Sequence, residues 1–282
     1  MLSSGDSAFF IHVDRKVDIR EFAPIVGEKV FFCEQRVAVQ WGEFSQIEAT
    51  LRLIQLVLDR SETYDYLSFS TGSDYPLRSG RYIQRFLENN RGLEFMSLVR
   101  MPAPGYPLSK INKLRYPSDK PVRRFVTRAL AKLGLSQRDH RKFLGVLEGY
   151  AGAGSWTLSR QACQYIVNFL TCNPHVEAYF RNTFTPDEML FHTILGNSAF
   201  LPRVRKGLTY VDWADLSNHP AMLQEKHLGV FEKAWVEDEW GSGEVLFARK
   251  FSDDNLGLID RIDEMIRRKE GHADDSLLSL ST

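Results

Sequence analysis

The sequence predicts an α/β fold, with a mostly parallel central sheet flanked by helices. Three observations carry this. Short β-rich apolar runs alternate with helix-period segments over the first hundred residues. The runs are bounded by turn chemistry such as TGSDYP at 71–76. The chain has 282 residues, 43% hydrophobic and 12% aromatic, enough apolar mass for a large core, which excludes global disorder.

Taken in order, Ala8–Val13 reads as the first strand, followed by the polar segment Asp14–Asp18. Lys29–Cys33 and Arg36–Gln40 are two more short strands. Phe44–Arg60 reads as a helix whose wide apolar stripe includes Ile47, Leu51, Ile54 and Leu58. Ser45 is placed to cap it, with Glu48 completing a capping box. Tyr64–Ser70 is a strand ended by TGSDYP, Tyr82–Asn89 a helix and Leu93–Val99 a strand. Ligands of such sheets lie at the carboxyl ends of the strands, which is where HVDRK (12–16) and TGSDYP project.

The middle of the chain differs. PAPGYP (102–107) breaks the pattern. Lys110 to Lys142 then holds eleven basic residues against Asp119 and Asp139, a local charge of +9. The formal net charge of the whole chain is zero, which argues against a uniformly basic nucleic-acid binder. Within this segment Val122, Phe125, Val126, Ala129, Leu130 and Leu133 recur at helical spacing, with Pro121 in the first turn and Gly134 as a stop. This is a basic amphipathic helix, suited either to an anionic lipid surface or to packing on the domain with a solvated charged face.

Beyond it, Ser155–Leu158 is strand-like and Ser159–Leu170 helical. Further helices are expected near His175–Arg181, over Pro186–Leu195 and near Leu256–Arg268, with short strands at Leu208–Val211 and Val245–Ala248.

Several function classes are absent from the sequence. No apolar run reaches the ~20 residues of a membrane span. The N-terminal MLSSGDSAFFIHVD lacks the parts of a signal peptide, so a cytoplasmic location is expected. Cys33, Cys163 and Cys172 show no CxxC spacing and read as free thiols. The dinucleotide, P-loop, nucleophile-elbow and zincin motifs are missing, as is a metal-holding DxD.

Four segments stand out. IHVDRK (11–16) offers His12 and Asp14 for a nucleobase or ribose, or is a strand edge with a charged turn. Trp41–Gly42 with YDYLSFSTGSDYP (64–76) contains Asp74 in a glycine turn. EGYAGAGSWTLSR (148–160) combines Glu148, glycines at 149, 152 and 154 for close backbone approach, Ser155, and Trp156 as a sugar-stacking face. TFTPDEMLFHTI (183–194) carries Asp187 and Glu188, which a capped helix start would also explain. The basic pairs Arg205–Lys206 and Arg249–Lys250 suit phosphate, or are surface pairs.

Together and in order, IHVDRK, WGEFSQIEATLRL, YDYLSFSTGSDYPLRS, GSWTLSR, TPDE, VDW and LFARKF resemble the core-2/I-branching β-1,6-N-acetylglucosaminyltransferase family, which includes the peptide O-xylosyltransferases. The resemblance covers roughly 8–100 and 146–251. It implies a GT-A-type fold and an inverting, metal-independent transfer from a UDP-sugar, with no cofactor. Glu188 matches the family's catalytic base, which takes the acceptor's proton as its hydroxyl attacks the anomeric carbon. Lys250 matches the phosphate-binding Lys, and its partner Arg falls on Arg205 or Lys206. Glu148, Gly154, Ser155 and Trp156 fall at the acceptor site. Asp14 with His12 falls near the uridine, and Asp74 near the donor.

The resemblance divides the chain into one catalytic domain, 1–251, and a C-terminal helix and polar tail, 252–282. Within the domain, 8–100 is the nucleotide-sugar half, 102–147 a basic insertion and 148–251 the acceptor half. Without the family's anchor and disulfide cysteines, a bacterial cytoplasmic version is expected, acting on a glycan or lipid-linked acceptor. Such an enzyme would build surface polysaccharide, with GlcNAc as first-choice sugar. It would sit peripherally at the inner membrane face through 110–142, with no nucleic-acid partner. The alternatives are transfer from UDP-xylose or another UDP-hexose, or a non-catalytic glycan- or membrane-surface-binding protein of the same fold.

Overall fold

The computed structural model describes residues 7–25, 27–60, 64–115, 121–213 and 220–278. Strands β1 (Phe9–Ile11) and β2 (Val30–Phe32) precede helix α1 (Ser45–Leu58). Next come β3 (Tyr66–Phe69), β4 (Asp74–Pro76), α2 (Gly80–Asn89) and β5 (Glu94–Arg100). The basic segment holds three helices, α3 (Leu108–Asn112), α4 (Pro121–Lys132) and α5 (His140–Leu144). The long strand β6 (Tyr150–Ser159) leads into α6 (Arg160–Cys172), α7 (Pro174–Phe180) and α8 (Leu190–Gly196). The remainder comprises β7 (Val204–Arg205), β8 (Thr209–Val211), α9 (Leu228–Lys233), β9 (Trp235–Asp238), β10 (Gly241–Glu244), β11 (Phe247–Arg249) and α10 (Leu256–Leu278).

The α/β class and the flanking helices are as expected, and the strand pairing is more mixed. β1–β2, β5–β7 and β8–β11 are parallel, while β6 runs antiparallel to both β3 and β5 in the order β3-β6-β5-β7. A second sheet has the order β4-β11-β8, with β4 antiparallel, and β9–β10 form a hairpin. β6 reverses direction because it arrives from the basic segment beside β5, the strand that led into it. Gly152 sits at the irregular step of that pairing, where a Cβ would lie 1.7 Å from the Ser97 carbonyl oxygen. The close approach at Gly152 is therefore to a neighbouring strand, where sequence suggested a ligand.

One core lies between the first sheet and α1, α6, α7 and α8, around Met96, Trp156, Leu158, Ile166, Phe180 and Leu190. A second lies under β4-β11-β8, around Leu77, Phe231, Val245 and Ala248. Leu258, Ile262, Met265 and Ile266 of α10 belong to it. The C-terminal helix is thus built into the domain, and truncating a buried residue such as Ile262 to Ala would cost about 2–5 kcal/mol.

Two local expectations are corrected. Arg36–Gln40 is not a strand. Its polar backbone groups are used by the loop after β1, with the Val37 carbonyl accepting from the Arg15 amide (2.9 Å) and the Val39 carbonyl from the Lys16 ammonium (2.6 Å). Ser45 does not cap α1 either. Its Oγ accepts from the Gln40 amide at 2.8 Å, and Phe44 stands at the cap position without a side-chain bond. The helices α2 and α6 do have serine caps, Ser79 and Ser159.

Candidate active site

The 184–188 turn is shaped by neighbours far away in sequence. The Thr185 amide donates to the Gly42 carbonyl at 3.0 Å. Gly42 has φ +70°, and a Cβ there would come 2.5 Å from the Phe184 ring. Only glycine fits, which gives the Trp41–Gly42 pair its place. Phe184 meets Trp41 edge-on at 5.5 Å and lies 4.0 Å beneath the Arg115 guanidinium. Held this way, Thr185 adopts φ +47°, a left-handed conformation that costs a residue with a Cβ about 1–3 kcal/mol. Its hydroxyl makes no cap. The expected helix over Pro186–Leu195 is accordingly split into a single 3-10 turn, Pro186–Glu188, and α8.

Two adjacent carboxylates in this turn meet different partners. Asp187 packs against Gly154, whose Cβ would sit an ordinary 3.5 Å from Asp187 Oδ2. Its Oδ1 is buried without a hydrogen-bond partner. Burial, and next the Glu188 charge, push the Asp187 carboxyl up to about 6, with Arg249 and Lys110 pulling the other way. Glu188 is half-buried, and its Oε2 is 3.3 Å from the Lys110 ammonium of α3. That ammonium also lies 4.6 Å over the ring of Tyr106, which in turn packs on Trp240 at 5.8 Å. Tyr106 titrates above its ordinary range, first through burial and then through Glu188.

The second sheet delivers the cations. In β11, Arg249 stands opposite Asp74 of β4 and Val211 of β8. Arg249 Nε is 3.5 Å from Asp74 Oδ1, and Asp74 also accepts from the Thr71 amide (2.9 Å) and hydroxyl (3.0 Å). The Asp74 side chain is only 2% exposed, and burial raises its pKa. Its hydrogen bonds close the turn, and its charge lies beside Arg249, whose buried Nε makes no hydrogen bond. Lys250 follows directly, its carbonyl bound by the Leu223 amide at 2.9 Å. Its ammonium makes no ion pair with a described residue. Behind β8, Asp212 of the VDW segment accepts from His227 Nε2 at 2.9 Å, the other ring nitrogen of His227 accepting from the Gln224 amide, a buried pair that braces the sheet end.

The remaining expected residues divide. His12 Nε2 accepts from the Val37 amide at 2.8 Å, and burial lowers its pKa, so it is a neutral acceptor. Asp14 pairs with Lys16 at 3.3 Å. Both stand at the carboxyl end of β1, and the loop they bind continues through residues 37–42 to the Gly42 anchor of Thr185. Glu148 forms an ion pair with Arg100 at 2.8 Å, and the Asn197 side chain clamps its backbone. It lies at the end of β6 from which the 101–110 segment departs, since the Met101 amide donates to the Gly149 carbonyl.

Ser155 is buried, and Trp156 is 5% exposed, stacked on Phe69 at 5.5 Å and edge-on to Phe191. Trp156 packs the core, where sequence suggested a sugar-stacking face. Its side chain projects onto the sheet face that packs against Phe191 of α8, so it is covered there. Neither member of the Arg205–Lys206 pair is free. Arg205 bonds the Pro202 and Val204 carbonyls, and the Lys206 ammonium is held by Asp238.

Lys110, Tyr106, Trp240 and the distinct role of Asp187 were not legible in sequence. Lys110 was one of eleven like charges, and Tyr106 was part of a pattern break. Among the described residues, no group of three or more His, Cys, Asp or Glu is gathered as a metal site.

The sequence profile of the Core-2/I-Branching enzyme family matches residues 1–236. The chain is 24% identical over 289 residues to bovine (Bos taurus) "Beta-1,3-galactosyl-O-glycosyl-glycoprotein beta-1,6-N-acetylglucosaminyltransferase", covering 93% of this chain and 64% of that protein. It is 26% identical over 215 residues to mouse (Mus musculus) "Xylosyltransferase 2", covering 73% of this chain and 23% of that protein. The chain therefore spans under two thirds of the first relative and under a quarter of the second. It belongs to the core-2/I-branching enzyme family, and its fold is of the GT-A-like glycosyltransferase type.

Proposed function

We propose that this member of the core-2/I-branching family transfers a sugar from a UDP-sugar to a glycan hydroxyl, inverting the anomeric centre without a metal. The observation that carries the reading is the 185–188 turn braced by Gly42, where the half-buried Glu188 pairs with Lys110 beside Tyr106 and the charge of Arg249 acts on the adjacent Asp187. Glu188 is the general base, taking the acceptor hydroxyl's proton as oxygen attacks the anomeric carbon and the bond to the diphosphate breaks. Negative charge then develops on the departing phosphate. Arg249, beside Asp74, and Lys250 stabilise it, the service a divalent metal performs elsewhere. The occupied side chains of Arg205 and Lys206 make them the weaker phosphate ligands. Glu148 with Arg100 lies on the acceptor side, and His12 with Asp14 shapes the loop at the nucleoside end.

GlcNAc is the first-choice sugar, on the printed name of the bovine relative, with xylose as the second on that of the mouse relative. The product is a surface glycan assembled on a lipid-linked acceptor. The test is Glu188→Gln. Transfer should fall by about 10²–10⁴-fold with UDP-sugar affinity retained, and full activity would overturn the assignment of the base. A thermal-shift panel of UDP-GlcNAc, UDP-xylose, UDP-galactose and UDP-glucose identifies the donor, which should add about 2.7 kcal/mol at a hundredfold over its Kd.

A further inference from the structure

The basic segment separates into two populations in space. Lys110, Arg115 and Arg138 turn inward. Lys110 pairs with Glu188, Arg115 stacks on Phe184, and Arg138 binds the Tyr179 and Asn182 carbonyls and the Thr183 hydroxyl. The segment is zipped shut at its base, where the Leu114 amide donates to Ser136 (2.7 Å) and the Arg138 amide to Asn112 (2.7 Å). Beyond that base the chemistry reverses. Val122 and Phe125 of α4 are each 72% exposed, Leu133 and Leu135 after it 70% and 63%, Phe143 of α5 54%, and Val146 96%. Arg128, Lys132, Arg141 and Lys142, all exposed, are interspersed with them.

A water-facing helix would carry polar residues at these positions. A nucleic-acid groove would want the bases without the aliphatic side chains. Exposed bulky apolar side chains on α4, the 133–135 turn and α5, interspersed in sequence with cations and opposed by no acid but Asp139 among the described residues of 121–146, match the interfacial zone of an anionic bilayer. We propose that these exposed side chains, Phe125 and the outer part of Phe143 (its ring also packs on Tyr179 at 5.5 Å) among them, seat the protein on an anionic membrane surface. The apolar side chains enter the headgroup boundary and the four cations meet lipid phosphates. Because the inward half of the same segment holds Glu188 through Lys110, docking would set the 185–188 turn at a fixed height above the lipid. The docking itself does not depend on the transfer chemistry.

The test is co-sedimentation of the full chain with phosphatidylglycerol-rich vesicles and with pure phosphatidylcholine vesicles. Binding is expected to the former only, weakening with salt. Phe125→Ser with Phe143→Ser should lower the partition coefficient by about tenfold or more, as should Lys132→Glu with Arg141→Glu. All four positions are exposed, so the fold should hold, and an unchanged thermal melt checks it. Val146→Ser is the smaller change to use should either pair unfold. Three outcomes would overturn the proposal. These are no binding to anionic vesicles, binding insensitive to the Phe pair, or a concentration-dependent dimer that the Phe pair dissolves, which would make the face an interface between copies. UDP-sugar binding is read separately, so loss of docking with donor binding intact leaves the transferase reading standing.

Discussion

The ammonium of Lys110 lies 3.3 Å from Oε2 of Glu188, across 78 residues of sequence. One partner comes from the basic segment and the other from the turn braced by Gly42. The pair ties the candidate base to the basic segment, and it makes Lys110 a positioning residue. Lys110→Ala should lower turnover by about tenfold or more with UDP-sugar affinity unchanged, and in a Glu188→Gln background it should have little further effect. Additive losses in the double variant would separate the two residues.

Lys250 and Arg249 are assigned to the departing diphosphate. Lys250→Ala should weaken UDP binding, measured by calorimetry, by about ten- to a hundredfold, the scale of one lost charge-assisted hydrogen bond. Chelation with EDTA should leave turnover unchanged. Activity that EDTA abolishes and magnesium restores would refute the metal-free step.

Asp187 makes a pH-dependent contribution to stability. Its carboxyl is raised to about 6 by burial and then by Glu188, so between about pH 4 and pH 6 the folded protein holds a proton that the unfolded chain has released. Stability from this group is full below about pH 4 and falls as pH rises toward about 6, by up to about 3 kcal/mol. Asp187→Asn should therefore flatten that part of the urea-denaturation profile relative to the parent. Parallel profiles would show that Asp187 titrates normally.

Gly152 admits no side chain. A Cβ would meet the Ser97 carbonyl oxygen at 1.7 Å and His192 Cδ2 at 2.9 Å. His192 is itself fully buried and bonded to the Ala153 carbonyl at 3.0 Å. Backbone on one side and core on the other leave no room to relax, so Gly152→Ala should cost about 4 kcal/mol or more. A soluble variant with an unchanged melting temperature would contradict the β5–β6 packing.

Ser159 caps α6 and also donates to Glu94, its amide and hydroxyl meeting that carboxylate at 2.7 and 2.6 Å. Glu94 is 1% exposed, so losing the hydroxyl leaves a buried acceptor short of a partner. Ser159→Ala should destabilise by about 1–3 kcal/mol, read from the denaturation midpoint.

Much of the fold was legible because its signals are local. Apolar periodicity placed α1, and alternation of β-rich runs with helices placed β3, β5 and the α/β class. The ordered motifs located Glu188 and the Arg249–Lys250 pair. What local pattern does not encode is pairing. Arg36–Gln40 has strand composition, yet His12 and the loop after β1 take its hydrogen bonds. Trp156 has the composition of a sugar platform, yet Phe69 and Phe191 of α8 pack over its ring and bury it.

The sequence by itself determined the class, the family resemblance and a net charge of zero that hides a +9 stretch. Only the tertiary structure decided which of those charges serve the site and which face outward. It turned Lys110 onto Glu188, Arg115 onto Phe184 and Arg138 onto the 179–183 backbone, and left the charges near Phe125 and Phe143 to solvent. The reason is physical. Eleven like charges are interchangeable in a count, but each becomes distinct once the chain sets which carboxylate, ring or carbonyl lies within a few ångströms.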